Sequence, residues 1–195
     1  FDSFEGKTTV YLNVDGRSGG EVGGSRAAHW MLLETAFTSL VSKQRKGLWS
    51  SHSDHALLNQ TGRATLSDIK QEGLFIFHAN RASDINQVLQ FSARHQLNSV
   101  ISGGQEAWIV RGALAKAGVP VVLNALDNLP GSFDGLGARL DNAALLHEAG
   151  VTVLFTSGET HNARKLRQVV GNAVANGFPY QAAISAITSL PAEAF

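Results

Sequence analysis

The chain has 195 residues, 44% of them hydrophobic, enough to bury one good core, and its length favours one domain over two. Sixteen lysines and arginines balance 16 aspartates and glutamates, so no sequence-wide field draws in nucleic acid or an anionic membrane, and a small, neutral molecule is the default partner. There is no cysteine, which excludes disulfides, thiolate ligands and a cysteine nucleophile but leaves the compartment undetermined.

The apolar runs at 119–123 and 151–155 fall far short of the roughly 20 residues that span a bilayer. The chain opens on Phe1 with no basic segment leading into an apolar one, and the expectation is that a start has been removed.

Residues 8–14 read as a first strand. The glycine cluster at 16–24, flanked by Arg17 and Arg26 and followed by a helix, invites a phosphate. It lacks the lysine-serine ending of a P-loop and the spacing of a dinucleotide fingerprint, so a flexible loop is the better reading. A longer helix is expected from Ser25, a good N-cap, through Leu40, with Trp30, Leu33, Phe37 and Leu40 forming its core stripe. Between Lys46 and Gly73 the pattern weakens to a helical connection, with turns at 54–59 and 66–71. His52 and His55 could chelate a metal only on a helical turn, and with no third ligand nearby they read as exposed loop histidines.

From about Gly73 short β-branched runs alternate with longer amphipathic stretches, the pattern of βα units around a parallel sheet. The strands are placed at 74–77, 99–102, 119–124 and 151–156, each nearly continuous in apolar residues as strands buried on both faces should be. Ser83 or Asp84 can cap a helix through Arg94. Gly118 and Pro120 close a helix starting near Gln105, and Gly150 closes one over 141–148. The clearest long loop after a strand is 127–137. Five strands cannot close an eight-stranded barrel, and the open edges need covering. Either earlier strands precede this chain or another chain closes the sheet, which predicts a homo-oligomer or association with an N-terminal part.

The stretch Gly150-Val-Thr-Val-Leu-Phe-Thr-Ser-Gly, then Asn162-Ala-Arg-Lys-Leu-Arg, then Gly177-Phe-Pro-Tyr with Ala183, Ala186, Thr188, Pro191 and Ala192, resembles the final βα units of imidazolonepropionase-related amidohydrolases. Pro191 is expected to break the last helix after an alanine-rich packing face. The resemblance covers about the last two thirds of the chain. It implies an α/β fold, the C-terminal part of a (β/α)8 TIM-type barrel. The domain is then a single incomplete barrel over 1–195, with 1–72 a glycine-rich start and helical connection and 73–195 the last four βα units.

In these terms Ile76-Phe77-His78-Ala79-Asn80 looks like the fifth strand, and the resemblance makes His78 a ligand of a divalent metal, zinc. The sixth strand, ending Ser102-Gly103-Gly104, has Gly103 where the family usually places a second histidine. The eighth has Ser157 where the family places its catalytic aspartate.

Asn80 and Arg81 follow His78 on the same loop and could orient a substrate carboxylate. Gln105 and Glu106 open the next helix, where a carboxylate is ordinarily explained by the helix dipole, and Glu106 is kept as a substrate-binding candidate with Ser157. Glu159 and His161 put an acid and an imidazole just past the eighth strand, where they could replace the lost aspartate, while a Thr160 cap is the competing explanation. Two functions follow from the resemblance. One is metal-dependent hydrolysis of an amide or cyclic amide C–N bond. The other is a barrel that has lost catalysis and serves as a binding or partner subunit.

Overall fold

The computed structural model describes residues 8–16, 24–41 and 57–195, which leaves Arg17, His52, His55 and residues 54–56 outside the described part. Each expected apolar run becomes a strand of one parallel sheet. β1 (Thr9–Asn13), β2 (Leu74–Ala79), β3 (Ser99–Gly103), β4 (Val121–Leu123) and β5 (Val153–Phe155) follow the order β1-β2-β3-β4-β5. β4 and β5 are shorter than their apolar runs. The chain is α/β, with parallel strands alternating with helices as in part of a TIM-type barrel. Among the described residues β1 and β5 are each paired on one side only.

Because successive strand residues point to opposite faces, Phe75, Phe77 and Ala79 join the main core while His78 lies on the other face with Tyr11, its ring 6.3 Å away. The helical layer begins with α1 (Arg26–Val41), whose first turn is capped as expected, Ser25 Oγ accepting from the Ala28 N–H at 3.2 Å. Its stripe is core: Phe37 is buried, and Trp30, Leu33 and Leu40 pack against the same cluster. The Phe37 ring lies 5.1 Å from Phe91 edge-on and 5.7 Å from Phe75. These aromatic contacts, each adding about 0.5–1.5 kcal/mol beyond burial, clamp α1 and α3 (Ala82–His95) to β2.

α2 (Gln60–Glu72) starts at Asn59, whose side chain accepts from the Gly62 N–H at 2.7 Å. The chain from Gln105 begins as a 3-10 turn, Ala107–Val110, and becomes helical only in α4 (Arg111–Ala117). α5 (Asn142–Glu148), α6 (Leu166–Ala175), α7 (Tyr180–Ser185) and α8 (Ser189–Ala194) complete the layer.

Two expectations are corrected. Neither Ser83 nor Asp84 caps α3: the capping position is Arg81, without a side-chain bond, and Asp84 is buried against Arg26. Pro191 breaks no helix. α7 has ended at Ser185, and Pro191 sits in the first turn of α8, where a missing N–H forfeits no helical bond.

Candidate functional site

The carboxyl ends of β1 to β4 and the loop after β4 surround a cavity of about 380 Å³, lined mainly by polar groups. β1 leads into Asp15, which is buried, and β2 presents His78 and, just beyond its end, Asn80. β3 ends at Gly103, followed by Gln105, and β4 runs into Asn124 and Asp127, while Ser132 and Asp134 line the wall from the loop. Parallel strands place these positions together because all their carboxyl ends face one way.

His78 Nε2 stands 3.9 Å from Asp15 Oδ2 and 3.4 Å from Asn80 Nδ2, and its Nδ1 is buried with no hydrogen-bond partner among the described residues. The ring rests against Gly103. A Cβ built there would lie 2.6 Å from Asn80 Oδ1 and 3.0 Å from His78 Cε1, and Gly103 has φ +98°, a backbone region that favours glycine. The lack of a side chain at Gly103 therefore makes room for His78 and Asn80.

The loop wall is held by charge. Asp134 accepts from the Gly16 N–H at 2.8 Å and pairs with Arg26, and Arg81 lies 3.6 Å from it while donating to the Phe133 carbonyl at 2.8 Å. Arg26 also meets Asp84 at 3.1 Å. Residues 17–23 of the glycine cluster lie outside the described part, and at its start Gly16 and Arg26 hold an anion that is the chain's own carboxylate.

Burial pushes the Asp134 carboxyl up, yet the Gly16 N–H, the Arg26 hydrogen bond and the two guanidinium charges outweigh it and hold it below its ordinary value. Asp84 moves the other way, raised chiefly by burial. A lowered carboxylate adds stability above its unfolded pKa and loses it as pH falls through the folded one. Asp134→Asn should therefore destabilise the protein by about 1–2 kcal/mol near neutrality. The gap to the parent should close as pH drops below the carboxylate range. Urea unfolding at both pH values measures it, and a gap that widens in acid would contradict the assignment.

Glu106 is buried and is not part of the cavity lining. Its Oε2 accepts from the Ala82 N–H at 3.0 Å, capping α3 from another element, and its Oε1 accepts from the Gly137 N–H at 2.9 Å. Nearby, fully buried Asn142 donates to the Gly104 carbonyl at 2.9 Å and accepts from the Trp108 N–H at 3.1 Å. Glu106 and Asn142 therefore brace the segment just past β3.

Glu159 Oε2 and His161 Nε2 meet at 2.9 Å, but both side chains are largely exposed and neither lines the cavity. Ser157 Oγ donates to the Glu159 carbonyl at 3.3 Å and also lies outside the lining, as does Arg81. Thr160, the competing cap, makes no capping bond. The 3-10 turn Thr160–Lys165 has Glu159 at its capping position and no side-chain cap. Of the candidates, His78 and Asn80 come together in the cavity, Gln105, weighed beside Glu106, also lies on its lining, and the rest do not. Asp15, Asn124, Asp127 and Asp134 were missed. The rule that barrel function lies at strand carboxyl ends would have found Asp15 and Asn124, each just past an apolar run.

No family model and no curated protein matches the sequence. The fold of parallel strands and helices is similar to a crystal structure of an amidohydrolase from Thermotoga maritima MSB8, with a TM-score of 0.76 and 18% identity over 95% of this chain and 50% of that one. The chain thus has an amidohydrolase-like fold and spans about half the length of that solved relative.

Proposed function

We propose that this chain is the C-terminal part of an imidazolonepropionase-related barrel, and that its cavity hydrolyses an amide or cyclic amide C–N bond. The observation carrying this reading is the Asp15 carboxylate facing His78 at 3.9 Å inside a polar cavity at the carboxyl ends of parallel strands. Such a pair can take a proton from water as it attacks the carbonyl carbon and return it to the departing nitrogen as the C–N bond breaks. Asn80 and Asn124 offer amide hydrogen bonds to hold the scissile group.

A hydrolytic zinc takes three protein ligands and an open position. Among the described residues no three His, Asp or Glu side chains converge on one point. These residues alone therefore do not fit the metal that the resemblance implies, and the proton chemistry rests on Asp15 and His78.

Turnover of a panel of amides and cyclic amides tests the reading. His78→Ala should lower kcat/KM by about a hundredfold to ten-thousandfold, while Glu159→Gln and His161→Ala stay within a few fold of the parent. Loss of activity on changing the surface pair, with His78→Ala unaffected, would sink it. Elemental analysis after purification without chelator, with zinc or manganese added, separates out a metal route, since near-stoichiometric metal lost in His78→Ala would require one.

Gly103 and Ser157, where the family has a histidine and an aspartate, favour a second reading, a barrel that binds but does not turn over. Cavity ligands bound without hydrolysis across the panel would support it.

A further inference from the structure

The cavity lining has a one-sided charge. Among the described residues that line it, Asp15, Asp127 and Asp134 contribute carboxylates, His78 is the one titratable nitrogen, and none is a lysine or arginine. Arg26 and Arg81 compensate Asp134 from positions outside the lining. For Asp127 the described residues supply no such partner. Among the described residues its carboxylate meets the neutral amide of Asn124, with Nδ2 to Oδ2 at 2.8 Å, and no cation lies within ion-pair distance.

One amide oxygen of the lining is unmet by the described residues. Gln105, on the lining, keeps Oε1 buried with no donor among the described residues. A concave site walled by protein and charged with one sign focuses its field on whatever enters. A carboxylate or phosphate would enter against that field, with no cation among the described lining residues to receive it.

We propose that the cavity takes a positively charged small molecule, an amine or guanidinium, and that Asp127 is the side chain that selects it. This deepens the hydrolase reading by naming the substrate class of the same site, and it departs from the neutral ligand that the overall charge balance suggests. A guanidinium supplies several N–H donors in one plane, a fork that matches the Asp127 carboxylate. Asp127 is a specificity residue and takes no part in proton transfer.

The test uses butylguanidinium and butyrate, two probes of similar size and opposite charge, neither with a scissile amide, so binding is read even if hydrolysis is never found. Calorimetric titration at low salt should show butylguanidinium binding at least about tenfold more tightly than butyrate, with added salt eroding the difference. Asp127→Asn should remove the preference and Asp127→Glu restore it. Butyrate binding equally well, no binding of butylguanidinium to the folded protein, or a preference unchanged in Asp127→Asn would each overturn the proposal. So would stoichiometric zinc that excludes butylguanidinium, because the carboxylates would then serve a metal.

Discussion

Replacing Glu106 with alanine is expected to cost about 3–4 kcal/mol of folding stability, because one buried carboxylate satisfies two backbone donors from distant parts of the chain. The Ala82 N–H would lose the cap of α3, and the Gly137 N–H would lose the tie that ends the loop after β4. Hydrogen bonds to a charged acceptor are worth about 1.5–3 kcal/mol each, and each donor left buried and unpaired adds to the loss. Glu106→Gln should fall roughly midway, since an amide keeps one acceptor oxygen and turns an N–H toward the other donor. Denaturant midpoints at constant slope measure both variants. An unchanged midpoint with weakened ligand binding would return Glu106 to the substrate-binding role its position suggested.

Installing the histidine that the family resemblance leads one to look for, Gly103→His, should destabilise the protein by about 3 kcal/mol or more. A left-handed backbone costs a residue with a Cβ about 1–2 kcal/mol. Contacts of 2.6 Å to Asn80 and 3.0 Å to His78 force both side chains to move. Gly103→Ala isolates the backbone and Cβ terms and should lose about 2 kcal/mol. The new imidazole should bring no zinc with it, because reaching the site requires displacing His78. A stable Gly103→His protein that retains stoichiometric zinc would show instead that the site is only one ligand short.

The two variants also mark what a linear reading misses. Glu106 looked like a first-turn acid answering its own helix dipole, because local sequence places it next to the turn that follows. Its partners, Ala82 and Gly137, are 24 and 31 residues away, and only the packing of α3 and the loop after β4 around β3 brings them to one carboxylate. Pro191 failed for a related reason. Proline ends helices in the interior but fits a first turn, and which of these holds depends on where the preceding helix stops.

By itself the sequence determined the parallel α/β class, the place of all five strands and the core stripe of α1, since these follow from apolar periodicity and capping chemistry carried within a few neighbouring residues. It also marked His78, because a polar residue ending an apolar strand is a local signal. Tertiary structure alone decided the rest of the site. Asp15 meets His78 through the pairing of β1 with β2, and Asp134 reaches Gly16, Arg26 and Arg81 by folding back across more than 50 residues of chain. Contacts at such separations are set by how helices and loops close over the sheet, and no periodicity within one segment encodes them.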